Sequence, residues 1–389
     1  MNLEPSDEQR AAQRLAEDFV AREVAPYAAE WDRAESVDRS LVRRLGETGF
    51  LGLTLPEEYG GSGGDHLTYC MVLEELGRGD SAVRGIVSVT LGLVAKTVAD
   101  RGDEEQKRRW LPGLASGELL GCFALTEPGT GSDAGNLTTR AVRRGGGGGD
   151  GGEYVVDGTK TFITNGTWAD VILLFARTGG EPGHRGVTAF LVPADTPGIS
   201  RRTLHGKLGL RGQATAEIAF EGVRVPASAR LGPEGKGFSV AMAALAKGRM
   251  SVAAGCVGIA RAALDAAVRY AGEREQFGGV IARHQLVQEL LTDIAVDTDA
   301  ARLLTWRVAD LVDRGRPFAT ESSKAKLFAS EAAVRAAGNA LQVFGGYGYI
   351  DEYPVAKLLR DARVMTLYEG TSQIQKLVIG RALTGVSAF

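Results

Sequence analysis

The stretch HQLVQELLTDIAVDTDAARLLTWRVADLVDRG, His284 to Gly315, decides the fold. Val287, Leu290, Leu291, Ile294, Thr298, Ala301, Thr305, Val308 and Val312 fall on one stripe. That spacing predicts an amphipathic helix of about seven turns. So long a helix with one apolar face needs partners, and its neighbours repeat the pattern. GCVGIARAALDAAVRYA (255–271) precedes it, and KLFASEAAVRAAGNALQVFG (326–345) follows with Leu327, Val334 and Leu341 stacked by heptads. Three such helices predict a C-terminal bundle starting near Lys236.

Upstream the period changes. LLGCFALTE, EYVVDGTKTFITNG, DVILLFART, GVTAFLVPA and AEIAFEGVRVP are rich in β-branched and aromatic residues and bounded by Gly, Pro and Asp, which predicts strands. Asp157-Gly158 reads as a hairpin turn inside the second run. The glycine-rich stretch from Gly145 to Gly152 reads as a flexible hairpin tip. Before Leu119 the pattern is helical again, as in EQRAAQRLAEDFVAREVAPYAAEWD, where Leu15, Phe19 and Val20 recur at helical spacing. The expected fold class is α+β. It comprises an N-terminal helical domain (1–120), a small β-barrel-like sheet domain (121–234) and a four-helix-type bundle (235–389). A crevice between a sheet and two helical layers suits a cofactor.

Composition narrows the function. At 389 residues, 44% hydrophobic and 24% charged, the chain has ample core. A net charge of -3 and the lack of a basic run argue against nucleic acid as partner. No apolar stretch reads as a membrane helix, and the start MNLEPSDEQR is too charged for a signal peptide. Cys70, Cys122 and Cys256 are scattered, which suits free thiols in a reducing cytoplasm. The four histidines have no metal-ligand spacing, so no metal site is expected.

Several short motifs carry chemistry. MTLYEGTSQIQKL places Glu369 beside Gly370, Thr371 and Ser372 at the start of a helix. A carboxylate on such a turn can be aimed into a cleft; it equally suits a solvated acid near a helix N-terminus capped by Thr371 or Ser372. CFALTEPGTGSDAG (122–135) opens a strand end into a loop of backbone N–H groups and the hydroxyls of Thr126 and Ser132, which suits a polar ligand or an ordinary turn. KTFITNG offers Phe162 and Thr164 to a flat ring. In GEREQFGG (272–279), Arg274 is either a surface residue beside a glycine cap or a grip for pyrophosphate. LQVFGGYGY (341–349) reads as a C-capping loop.

Taken in order, TEPGTGSD, TFITNG, EREQFG, HQ, QVFGGYGY and YEGTSQIQ resemble the acyl-CoA dehydrogenase family from about residue 7 to residue 385. The resemblance implies a homotetrameric FAD enzyme that dehydrogenates an acyl-CoA, or an acyl-carrier-protein thioester, and passes electrons to an electron-transfer flavoprotein. It implies that Phe123, Leu125, Thr126, Gly131 and Ser132 line the flavin, with Ser132 also reaching the acyl-CoA. Phe162, Ile163 and Thr164 would pack against and bond the ring. Arg274, Glu275, Gln276, Phe277, His284, Gln285 and Gln342, Val343, Phe344, Gly345 and Gly346 would hold the ADP end of an FAD shared with a neighbouring subunit. Thr371, Ser372 and Gln373 would contact FAD, Arg249 and Gly370 would meet substrate, and Glu369 would be the base. Flavin N5 takes the hydride from Cβ while Glu369 takes the Cα proton, so positioning and polarisation fall to the protein.

Some relatives carry the base at the position of Gly248, and glycine cannot serve. Two departures bear on substrate. Ala246 stands where many relatives hold an acid that bonds the CoA arm. In RGDSAVRGIVSVTLGLV (78–94), Arg84 resembles the carboxylate-binding arginine of glutaryl-CoA dehydrogenases; it equally suits a surface or interface arginine paired with Asp80 or another acid. Rival readings are an oxidase or monooxygenase of the same fold, and a non-catalytic FAD-binding scaffold in a biosynthetic complex. The presence of Glu369 speaks against the scaffold.

Overall fold

Side-chain caps set where the N-terminal helices begin. In the computed structural model, which describes residues 4–145, 151–179 and 183–387, helix α1 (Asp7–Glu23) starts at Ser6. The Ser6 hydroxyl accepts from the Gln9 amide while the Gln9 side chain accepts from the Ser6 amide. Helices α2 (Ala28–Ala34), α3 (Ser40–Glu47) and α4 (His66–Gly79) follow, the last capped by Asp65. Asp80 is extended and breaks the chain before α5 (Ser81–Val87), where its carboxylate accepts from the Ala82 amide at 2.6 Å. A π-helical stretch, Ser88–Ala95, carries α5 into α6 (Lys96–Arg101), and α7 (Glu104–Ser116) starts with a second capping box at Asp103 and Gln106. Phe19 and Val20 are buried as expected, but Leu15 is 44% exposed and Ala16 takes its place on the core face.

The sequence reading finds no stretch with membrane-helix character, and here the structure differs. The continuous helical run Ser81–Arg101 and the later helix Gly237–Glu273 each reach a mean hydropathy of 1.5 over a window of spanning length. Those windows are 83% and 67% buried inside the fold, so their apolar faces meet protein.

Seven strands form one sheet: β1 (Gly121–Ala124), β2 (Arg140–Arg144), β3 (Glu153–Ile163), β4 (Val171–Arg177), β5 (Val187–Pro193), β6 (Ile199–Thr203) and β7 (Ala216–Pro226). Their order is β1-β4-β2-β3-β7-β6, with β5 also paired to β4. β4 runs parallel to β1, and the remaining ladders are antiparallel apart from one β2–β4 bridge. Val171, Leu173 and Phe175 face the helical core, while Ile172, Leu174 and Ala176 join Phe190, Ile218 and Phe220 in a second core. Burial on both faces explains why β4 reads as an unbroken apolar run. Asp157-Gly158 is not a hairpin. Val156 and Gly158 both pair with β7, and the register shifts between them, so the dipeptide is a bulge within one strand. Gly158 has φ 149°, and a Cβ there would lie 2.6 Å from Thr139 Oγ1. The glycine-rich tip joins β2 to β3, with 146–150 outside the described residues.

The bundle is built from α8 (Gly237–Glu273), α9 (Gln285–Asp313) and α10 (Ala319–Phe344), with α11 (Pro354–Met365) and α12 (Ser372–Thr384) packed against it. Between α8 and α9, β8 (Glu275–Gln276) pairs with β9 (Gly279–Val280) in a short hairpin. Ile294, Thr298, Ala301, Thr305 and Val308 of the α9 stripe are buried. On α10 the buried face is small: Ser322, Ala325, Ala329, Ala333, Ala336 and Ala340, leaving Leu327, Val334 and Leu341 half-buried at its edge. Small side chains let α8 and α10 approach closely.

Candidate active site

Three elements converge where α11 ends and α12 begins. Thr371 caps α12, its hydroxyl accepting from the Ile374 amide at 3.2 Å. Just before it, Glu369 and Gly370 adopt positive φ (51° and 92°), a conformation costly for a non-glycine residue. This turn swings the Glu369 carboxylate over Gly248 of α8. A Cβ at Gly248 would stand 2.1 Å from Glu369 Oε2, so the missing side chain makes room for the carboxylate. The same Cβ would lie 2.8 Å from Leu93, which packs with Val89, Ala244, Phe123 and Leu245 in a small apolar cluster at the edge of the main core. The carboxylate therefore borders an apolar wall.

Glu369 is half-buried as a residue, but its Oε2 is sealed from solvent and has no hydrogen-bond partner. Burial pushes its carboxyl up to about 7, against the opposing pull of Arg84, Lys326 and Arg249. Its backbone is tightly held. The Glu369 carbonyl accepts from Arg249 Nε (3.4 Å) and Gln375 Nε2 (3.2 Å); the Gly370 carbonyl accepts from Lys326 Nζ (2.8 Å) and Gln375 Nε2 (3.1 Å). Arg249, itself buried, also donates to Ser323 Oγ at 3.2 Å. A positioned carboxylate with near-neutral proton affinity against apolar surface is suited to deprotonating a weak carbon acid.

Arg84 is not a surface arginine, and it does not pair with Asp80. It is 1% exposed, its Nη2 donates to Tyr368 Oη at 2.6 Å, and Nε has no partner. A Cβ at Gly255 would lie 2.6 Å from that Nε, so α8 is bare where the guanidinium crosses it. Asp80 instead pairs with Lys357 at 3.1 Å. No carboxylate among the described residues forms an ion pair with Arg84. Ala246, too, is buried.

The strand-side residues form a second group. Leu125 and Ile163 are buried, and the Ile163 side chain lies in the sheet core, so only its backbone is free to meet a ligand. Phe123 is half-buried against Phe175, with ring centroids 4.8 Å apart. Thr126 is half-buried, and Ser132 and Gly131 are exposed. Phe162 has φ 57° and is 71% exposed, presenting a bare aromatic face. Thr164 donates to Gln213 Oε1 at 3.3 Å.

The third group lies at the far end of the bundle. A cleft of about 510 Å³ is lined by Arg274, Gln276, Val343, Phe344, Gly345 and Gly346, with Tyr270 and Tyr347 among its walls. The Val343 and Phe344 side chains are buried in the bundle, and Phe344 stacks on Tyr270 at 4.0 Å. Cβ atoms at Gly345 and Gly346 would meet open space. Phe277 is 92% exposed, and His284 keeps a buried, unpartnered Nε2. Glu275, Gln285, Gln342 and Gln373 are exposed; Ser372 is buried and donates to Glu331 Oε1 at 2.5 Å.

These residues fit a flavin dinucleotide. A bare aromatic ring and an open hydroxyl-rich loop suit a flat heterocycle, and a cleft with an arginine and bare glycines suits a nucleotide end. No residue of the seven-stranded sheet lines that cleft, so one chain presents the two halves apart. Sequence reasoning missed Lys326, Gln375 and Gln213. For Lys326 a signal existed, since it shares the buried phase of α10 with Ser322, Ala329 and Ala333. Gln213 gave none, because its role depends on the bare Gly85, whose Cβ would lie 2.0 Å from Gln213 Nε2.

The chain matches the N-terminal, middle and C-terminal domains of acyl-CoA dehydrogenases over residues 6–118, 122–223 and 235–384. It is 44% identical to an acyl-CoA dehydrogenase of Bacillus subtilis (strain 168), covering 98% of this chain and 99% of that one. Butyryl-CoA dehydrogenase from Megasphaera elsdenii superposes with a TM-score of 0.95 at 40% identity, covering 98% and 100% of the two chains. A glutaryl-CoA dehydrogenase from Mycobacterium smegmatis in complex with FADH2 superposes at 0.93 with 34% identity, covering 99% and 96%.

Proposed function

The chain belongs to the acyl-CoA dehydrogenase family, and on that premise we propose that it is an FAD-dependent oxidoreductase that forms a trans α,β double bond in an acyl thioester. The observation that carries the reading is the Glu369 carboxylate: buried, unpartnered, raised to about 7 and set against the apolar cluster around Leu93. Val89, Leu93 and Phe123 form the wall along which the acyl chain lies. Glu369 takes the Cα proton, and its strained, four-times-bonded turn fixes where the carboxylate stands. Donors to the thioester oxygen, the Glu369 amide among them, stabilise charge developing there. FAD, when bound, accepts the hydride from Cβ. Phe162, Thr126, Ser132 and Thr164 would hold its ring, and Arg274 with the Gly345–Gly346 turn its nucleotide end.

The finer reading is that the substrate is an acyl-CoA, with Ala246 consistent with looser CoA binding or with an acyl-carrier-protein thioester as the alternative, and that an electron-transfer flavoprotein receives the electrons. Arg84 supports an acyl group with an anionic or polar terminus, because a buried guanidinium without a carboxylate partner is costly until one arrives. Glu369→Gln tests the core of the proposal. The variant should retain bound flavin while anaerobic bleaching by acyl-CoA slows by at least about 10²-fold. Bleaching at the wild-type rate would place the base elsewhere.

A further inference from the structure

Among the described residues, Lys326 is the one ammonium group that bonds the Glu369–Gly370 turn. It is 0% exposed on the core face of α10, and its Nζ donates to the Gly370 carbonyl at 2.8 Å. No carboxylate among the described residues forms an ion pair with it. A buried lysine without an acid is costly and would be replaced by methionine or leucine if packing were its task. The group it reaches is the carbonyl next to Glu369, in a turn whose non-glycine φ of 51° needs outside support. We propose that Lys326 is a positioning residue for Glu369: through the Gly370 carbonyl it fixes the turn, and its buried positive charge favours the carboxylate over the neutral acid. The inference rests on the reading of Glu369 as the base.

The groups facing Glu369 come from every packed element. Tyr69 lies on α4, Arg84 on α5, Arg249 on α8, Lys326 on α10 and Tyr368 on the turn itself. Cys256 of α8 and Glu331 of α10 complete the surroundings of Lys326. Gln375 binds both carbonyls of the turn and Arg249 that of Glu369, so the turn survives loss of one donor, and the charge can be tested apart from the fold. Burial lowers the Lys326 ammonium to about 8, against the pull of Cys256 and Glu369, so it is still mostly charged at neutral pH.

The test uses the flavin-loaded enzyme. Infrared difference titration follows the protonated-carboxyl stretch of Glu369, assigned by its loss in Glu369→Gln. In Lys326→Met the midpoint should rise by about one pH unit, and flavin bleaching by acyl-CoA at pH 7 should fall by roughly fivefold and recover in more alkaline buffer. Lys326→Arg, which keeps the charge, should return the midpoint toward the wild-type value. An unchanged midpoint in Lys326→Met overturns the proposal, whatever happens to the rate. If the methionine variant does not hold flavin, Lys326→Gln, which keeps an amide donor for the Gly370 carbonyl, carries the same measurement and the same two outcomes. Failure of the base assignment is separate: it would show as bleaching that persists in Glu369→Gln, while the carboxyl titration still reports on Lys326.

Discussion

At Glu369 burial and charge pull in opposite directions, and burial wins: its carboxyl stands at about 7 against an ordinary 4.5. A folded-state value above the unfolded one means that folding favours the protonated acid. The resulting stabilisation is complete below about 4.5 and is lost as pH rises through about 7. Glu369→Gln removes that penalty. In the flavin-free protein the variant should match wild type near pH 5 and exceed it at pH 8 by up to about 3 kcal/mol, read from denaturant unfolding at each pH. A variant less stable than wild type at pH 8 would show that the carboxylate is well solvated. At Arg84 the argument concerns specificity. A carboxylate-bearing acyl chain would neutralise the guanidinium, whereas a butyryl chain leaves it unmatched. Arg84→Ala should weaken catalysis with a dicarboxylyl or hydroxylated thioester and leave or improve it with simple alkyl chains. Equal loss on both classes, or loss on neither, would make Arg84 structural through its bond to Tyr368.

Among the elements, legibility followed how far a residue's partners lie along the chain. The α9 stripe and the apolar β4 could be read because period and burial are local matters of spacing. β2 and β6 escaped, since RAVRR and ISRRT face solvent at most positions and carry no apolar alternation. Asp157-Gly158 misled because a bulge and a turn call for the same residue types, and only the partner strand tells them apart. In the site, motif residues were legible but their supports were not: the bond from Lys326 to Gly370 spans 44 positions. Lys160 of β3 is a similar support. Its Nζ donates to the Leu125 carbonyl (3.0 Å) and pairs with Glu127 (2.8 Å), inside the CFALTEPGTGSDAG segment. Glu127 also accepts from the amides of Thr138 and Thr139. Although burial alone would raise the Glu127 carboxyl, Lys160 and these donors hold it down to about 2, so the pair is ionised at neutral pH. Lys160→Met strands that carboxylate and should cost about 3–5 kcal/mol in unfolding experiments, with weaker retention of flavin. Adding Glu127→Gln should recover part of the loss. A single variant as stable as wild type would show that the pair contributes nothing.

On the scale of the whole molecule, the two halves of the proposed cofactor site lie apart in one chain. The Arg274 and Gly345–Gly346 cleft contains no residue of the seven-stranded sheet, and two further aromatics of these halves, Phe162 and Phe277, are 71% and 92% exposed. Exposed rings of that size beside polar loops are typical of surface that a partner or ligand covers. We propose that a second copy of the chain brings a strand-side half against a bundle-side half, in the homotetramer that the family resemblance implies. Binding and assembly are then linked: a ligand that contacts both subunits stabilises the assembled state by an amount that grows with its concentration relative to Kd. Purified protein should carry noncovalent flavin and sediment as a dimer or larger. Stripping the flavin should shift the population toward smaller species, and added FAD should restore it. Arg274→Ala, at the bundle-side half, should weaken both flavin retention and assembly while leaving the fold of the chain intact by circular dichroism. A colourless, stable monomer that takes up no flavin would overturn the shared site.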